Sequence, residues 1–183
     1  MRTVSLFALC ALAILGASAF GRSNVAIAGA QVTAQYIIRN VATGKCIDIA
    51  NGSTAAGDPV AQYMCHGGQN QRFRFDFALP GSGRTHISNV HSYLCIVPTG
   101  YQGPSTPRMG LVQSSCTAPE ANFNLVRATN KGPTGQHAER AVLRWALDST
   151  FCIDVPSAAR TDGLILQAYR CHGGLNQLWD IAR

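Results

Sequence analysis

The sequence predicts an all-β protein built as a β-trefoil, three copies of one short unit closed around a common axis. Three observations lead there. First, Cys46-Ile47-Asp48 with Cys65-His66-Gly67-Gly68-Gln69-Asn70-Gln71-Arg72-Phe73 returns 106 residues later, without a gap, as Cys152-Ile153-Asp154 with Cys171-His172-Gly173-Gly174-Leu175-Asn176-Gln177-Leu178-Trp179. A repeat this regular marks a copied supersecondary unit. Second, Cys95 and Cys116 stand between these copies at a similar spacing and mark a third, more degenerate one. Third, no stretch of ten or more residues keeps a helical period, and Gly and Pro punctuate the chain, which is the pattern of many short strands. One such unit cannot bury its apolar face alone, whereas three close a barrel. A two-sheet sandwich is the architectural alternative.

The elements follow in order. Residues 1–19 read as a secretory signal. Arg2 gives the positive start, residues 4–15 the apolar run, and Ala17-Ser18-Ala19 the small-x-small cleavage site before Phe20. Ala28-Gly29-Ala30 is a second candidate cut, farther from the apolar run. That run is shorter than the roughly 20 residues a spanning helix needs, so no membrane insertion is expected. The expected location is extracellular, or periplasmic in a bacterium. Residues 20–34 form a flexible lead-in to a domain over 35–183. The units run over 36–77, 84–126 and 140–181. Pro80-Gly81-Ser82-Gly83 and Asn130-Lys131-Gly132-Pro133-Thr134-Gly135 join them with turn chemistry. Strands are expected at Tyr36-Ile37-Ile38, Ile47-Asp48-Ile49, His86-Ile87-Ser88, Ala141-Val142-Leu143 and Ile153-Asp154-Val155.

Composition narrows the function. The chain is 46% hydrophobic and 13% charged, enough apolar material for a core and too much for a disordered chain. The formal net charge of +6 is spread singly rather than clustered, which argues against nucleic acid as a partner. Cys10 leaves with the signal, and six cysteines remain. Six allow 15 pairings. The repeat selects Cys46–Cys65, Cys95–Cys116 and Cys152–Cys171, each copy closing on itself. Such loops contribute on the order of 3 kcal/mol in the chain-entropy model. No CxxC pair exists, so no metal site is expected.

Asp48 and Asp154 follow a half-cystine by two residues. Tyr63 and Tyr169 precede the second half-cystine by two, and Asn70 and Asn176 follow it by five. The disulfide ties the Asp segment to the Tyr and Asn segment, so the three side chains can converge. A carboxylate accepting from neighbouring hydroxyls, an aromatic ring against the apolar face of a pyranose, and an amide that both donates and accepts suit a sugar. Gly67-Gly68 and Gly173-Gly174 permit positive φ and close backbone approach, and Gln167 can add a polar contact. The bland alternatives are an Asp that caps a turn and a Tyr in the core. Gln71 with Phe73, and Gln177 with Trp179, read as framework, the ring inside the barrel and the amide serving buried backbone groups. His66 and His172 read as turn hydrogen bonders, since neither has a second His or a carboxylate at ligand spacing. His86, His91 and His137 show no pattern. Nucleophile, Walker, HExxH and dinucleotide motifs are absent, and equivalent Asp residues in separate copies do not make a glycosidase pair. The protein is therefore read as non-catalytic and without a cofactor.

Cys-Ile-Asp, Tyr-x-Cys and Asn-Gln-x-Trp/Phe together resemble the ricin B-chain type lectins, also called carbohydrate-binding module family 13, over residues 36–181. The resemblance implies a β-trefoil with a Gln-x-Trp repeat and galactose-type or related glycan binding, potentially one site per copy. It implies a third-copy site of Asp154, Gln167, Tyr169 and Asn176 over the framework of Gln177 and Trp179. In the first copy Asp48, Tyr63 and Asn70 match, but Ala61 stands in place of Gln167, beside Gln62, and Phe73 in place of Trp. The second copy has Val97 for the Asp and Ser114 for the aromatic, and is expected to be structural. Two other roles are considered. One is a non-catalytic, cell-binding subunit of a toxin or enzyme assembly, with a protein partner. The other is a hydrolase inhibitor acting through residues 100–108.

Overall fold

The computed structural model describes residues 34–77, 83–128 and 139–183. The proposed signal, nearly all of the lead-in and most of both joints lie outside the described residues. In the unit from Thr33 to Arg183, the strands in chain order are β1 (Tyr36–Asn40), β2 (Cys46–Ile49), β3 (Val60–Tyr63), β4 (Arg72–Phe77), β5 (Arg84–Asn89), β6 (Cys95–Thr99), β7 (Arg108–Ser114), β8 (Asn122–Arg127), β9 (Glu139–Trp145), β10 (Phe151–Asp154), β11 (Leu164–Ile165), β12 (Gln167–Arg170) and β13 (Trp179–Ala182). Each expected strand is present, with Val155 just past the end of β10. The helices among the described residues are single 3-10 turns.

The pairing explains the closed form. β1 pairs with β4, β4 with β5, β5 with β8, β8 with β9, β9 with β13, and β13 returns to β1, all antiparallel. This ring is a barrel with no free edge. The remaining strands other than β11 form one hairpin-like pair per lobe, β2 with β3, β6 with β7 and β10 with β12. These pairs cap one end and are laced together through β3 with β11 and β12 with β7. The architecture is a β-trefoil, not a sandwich.

The approximate threefold repeat sets the core. Phe73, Phe123 and Trp179 open or nearly open the last strand of their lobes and are fully buried. So are Ile47, Ile96 and Ile153, each directly after a half-cystine and at most 1% exposed. They pack into one cluster with Ile38, Ile87, Leu143 and Trp145. Burying a side chain of this kind contributes about 1.5–3 kcal/mol. The Trp179 indole N–H donates to the Ile153 carbonyl at 3.1 Å, so the larger ring is satisfied inside the barrel. The three disulfides form as expected, with Cα–Cα distances of 5.1, 5.0 and 5.1 Å.

Gln62 and Gln113 join neighbouring lobes. Each is fully buried and points away from the outer face. The Gln62 amide donates to the carbonyls of Ala159 and Thr161 at 2.6 and 3.0 Å, and Gln113 to those of Ser53 and Ala55 at 3.0 and 2.8 Å. The loops beside the first and third sites are thereby fixed from below.

Candidate functional site

The same polar cluster is built twice on the caps. In β2, Ile47 points into the core and Asp48 to the opposite face, and β10 repeats this with Ile153 and Asp154. The disulfide then brings the Gly-Gly turn over the strand. Gly67 and Gly173 adopt φ of 70° and 76°, where glycine is favoured. The following glycine is needed for space. A Cβ on Gly68 would sit 2.8 Å from both Asn70 Oδ1 and His66 Cε1, and on Gly174 2.7 Å from Asn176 Oδ1 and His172 Cε1.

In the first lobe Asp48 Oδ2 accepts from Asn70 Nδ2 and Gln71 Nε2, both at 2.9 Å. In the third, Asp154 Oδ2 accepts from Asn176 Nδ2 at 2.8 Å and Gln177 Nε2 at 2.9 Å. Each Gln also accepts from the backbone N–H of His66 or His172 at 2.8 Å and donates to the Met64 or Arg170 carbonyl, at 2.9 and 2.8 Å. The Gln amides serve backbone groups, as the sequence suggested, and they also aim the carboxylate. The histidine turn bond is present: Nδ1 of His66 and of His172 accepts from the N–H of Gly68 and Gly174 at 3.1 Å. What linear spacing hid is the other face of the ring. Nε2 lies 3.5 Å from Asp48 Oδ2 in one lobe and 3.4 Å from Asp154 Oδ2 in the other. Both histidines thus belong to the site, edge-on to Tyr63 and Tyr169 with centroids 6.1 and 6.2 Å apart.

In both lobes Asp and Asn bond directly and the tyrosine adjoins them across the intervening histidine, with unequal access. Tyr63 and Tyr169 are 42% and 38% exposed, so they are surface rings rather than core. The carboxylates lie beneath: Asp48 is 5% exposed and Asp154 1%. Asp154 Oδ1 is covered by Gln167 Nε2 at 2.8 Å. In the first lobe Ala61 occupies the matching register position opposite Asp48. Among the described residues Asp48 Oδ1 therefore keeps its acceptor capacity. Burial raises the Asp48 pKa above the usual carboxylate value, against the opposing pull of Gln71, His66 and Asn70.

The second lobe substitutes the polar cluster as a set. Val97 and Ala121 are 6% and 0% exposed and pack with Cys95 and Cys116. Ser114 pairs with Cys95 where Tyr63 pairs with Cys46. Removing acceptor and donors together avoids orphaning one member of the cluster.

A family described as ricin-type β-trefoil lectin domain-like matches residues 25–107. Among solved structures, the chain is similar to ThreeFoil, a designed 3-fold symmetric protein, at 25% identity and a TM-score of 0.68, covering 81% of this chain and 98% of that one. It is similar to the Rhizoctonia solani agglutinin at 23% identity and a TM-score of 0.69, covering 82% and 94%. It is also similar to the Macrolepiota procera ricin B-like lectin, solved in complex with lactose, at 20% identity and a TM-score of 0.62, covering 82% and 96%. No curated protein matches the chain significantly.

Proposed function

We propose that this chain is a ricin-type β-trefoil lectin-like protein, a secreted, non-catalytic lectin binding galactose-type or related glycans through its first and third lobes. The observation that carries this reading is the duplicated cluster of Asp, Asn, Gln and His beside an exposed tyrosine. The ring offers an apolar platform to a pyranose face, and the amide and imidazole edges offer directed polar contacts beside it. In the first lobe Asp48 Oδ1 accepts directly from a sugar hydroxyl. In the third, Gln167 relays that role, its Nε2 held by Asp154 and its Oε1 left for the ligand. The second lobe, with Val97 and Ser114, is a structural copy. Three disulfides fit folding in an oxidising compartment. Each site is shallow and weak, about −4 kcal/mol at millimolar affinity, and two on one rigid body gain by avidity on a dense glycan surface.

The test is a glycan array and a lactose titration on the Tyr63→Ala, Tyr169→Ala double variant, with urea denaturation as the control for folding. Both rings are exposed, so stability is expected to change little while binding is lost. Unchanged glycan binding by the double variant removes the assignment.

A further inference from the structure

The two sites differ most in what lies beside them, and the difference is one of charge. In the third lobe β12 pairs with β7 so that Gln167 faces Gly110 and Tyr169 faces Arg108. Along β7, Met109 and Leu111 are buried while Arg108 and Gly110 are exposed, so Arg108 shares the outward face of Tyr169. Directly opposite residues on one sheet face hold their Cβ atoms about 4.5–5.5 Å apart. Gly110 carries no side chain, and a Cβ placed there would meet only Thr99 Oγ1, at 3.7 Å. The strip from Gln167 across β7 to Thr99, which pairs with Gly110 on β6, is therefore open. Among the described residues Arg108 has no hydrogen-bond or ion-pair partner.

The first lobe has the opposite flank. Ala61 faces Ile165, which is 50% exposed. Next to Tyr63 the Met64 N–H donates to Asp162 at 2.7 Å, and Asp162 is itself paired with Lys45 at 2.6 Å. That cation is already engaged, and its partner is an acid.

We propose that the third-lobe site extends over Gly110 to Arg108 and takes a glycan bearing an anionic group, carboxylate or sulfate, while the first-lobe site takes neutral glycans. This rests on the lectin reading. A pyranose stacked on Tyr169 directs one edge across the strand toward Arg108. A guanidinium matches carboxylate or sulfate oxygens with a planar pair of N–H donors. The missing side chain at Gly110 gives the acidic residue room to lie flat.

The test uses the Tyr63→Ala protein, in which the first site is silenced and the third is read alone. Lactose, 3′-sialyllactose and 3′-sulfated lactose are titrated at low and high salt. The expected result is roughly fivefold tighter binding of an anionic probe than of lactose, the size of a good exposed charge contact, with the preference shrinking at high salt. Arg108→Ala is expected to abolish the preference and leave lactose binding unchanged, and Arg108→Lys to retain part of it. Preference for the sialylated probe alone assigns a carboxylated sugar, for the sulfated probe alone a sulfate, and for both an anion of either kind. Lactose binding with no anionic preference, or a preference that survives Arg108→Ala, overturns the proposal and leaves the lectin reading standing. Failure to bind any of the three, with wild type also silent, overturns both.

Discussion

Replacing Asp154 with alanine tests the balance between framework and ligand roles. The carboxylate is 1% exposed and accepts from Gln167, Asn176 and Gln177 at 2.8, 2.8 and 2.9 Å. A hydrogen bond to a charged group contributes about 1.5–3 kcal/mol, but burying the carboxylate offsets part of that. Two donors keep a second acceptor after the change: Asn176 retains the Val155 carbonyl at 3.0 Å and Gln177 the Arg170 carbonyl at 2.8 Å. Gln167 lies at the surface edge and can turn to water. The expected loss is therefore about 2–4 kcal/mol, below the sum of three full bonds. Urea denaturation with the disulfides intact measures it. Asp48→Ala is expected to lose less, about 1–3 kcal/mol, because its Oδ1 holds no amide. Asp154→Asn is expected to lose under about 1.5 kcal/mol, since its carbonyl can keep the two framework donors while Gln167 flips to present its own oxygen. An Asp154→Ala loss below about 0.5 kcal/mol, the level of an ordinary surface change, refutes the reasoning. So does an Asp48→Ala loss larger than that of Asp154→Ala.

Gly68→Ala and Gly174→Ala should each weaken glycan binding at their own lobe several-fold and lower stability by about 1–2 kcal/mol, because the new methyl displaces the His and the Asn that bonds the buried carboxylate; a lobe-specific titration that stays unchanged removes that reasoning. Removing the second-lobe disulfide by Cys95→Ala, Cys116→Ala should cost about 3 kcal/mol in denaturation and leave lactose affinity intact, since no ligand-facing group there depends on it. The raised Asp48 pKa means the native state holds this proton more tightly than the unfolded chain, so its contribution is present below the unfolded value near 3.8 and is lost as pH rises through the folded value. Asp148 and Asp162 are lowered, chiefly by hydrogen bonds from Thr150 and Lys45, and act the other way: their contribution is present above 3.8 and is lost as pH falls through their folded values. The stability of wild type relative to Asp48→Asn should therefore fall as pH rises from 3.8, and a relative gain by wild type over that range contradicts the burial argument.

The repeat made the fold legible because it fixes more than local pattern. Cys46, Ile47 and Asp48 alternate inward and outward in one strand, and the copy at Cys152 must do the same. Three such units with short strands leave few closed arrangements, and the barrel of β1, β4, β5, β8, β9 and β13 is the one observed. The meeting of Asp with Asn was legible for the same reason, since the disulfide ties their segments together. The position of His66 was not. Its ring is held by the Gly68 N–H, which the positive-φ turn at Gly67 brings back onto Nδ1, and linear spacing carries no trace of that turn. Nor was burial of the carboxylates legible, because it arises from the amides of Asn70 and Gln71 closing over them. The flank at Arg108 was equally hidden. It is brought to Tyr169 by the pairing of β12 with β7, a contact between lobes whose register no single copy specifies.

The lobes therefore share a framework and diverge at its rim. Gln71 and Gln177 make the same bonds to the same backbone groups, and Gly68 and Gly174 open the same space. This inner layer is buried and mutually satisfied, so a change to one member leaves another without its partner. The second lobe bears this out by replacing acceptor and donor together, with Val97 and Ala121 in contact. The outer layer touches the inner one at one point, the Gln167 amide on Asp154. Ile165 against Gly110, and the Lys45–Asp162 pair against Arg108, are changes at outward positions away from the framework bonds, while Ala61 against Gln167 changes only what covers the second carboxylate oxygen. A duplicated unit can hold its fold through the first layer while each copy acquires its own ligand through the second, and the two intact lobes of this protein differ at that second layer.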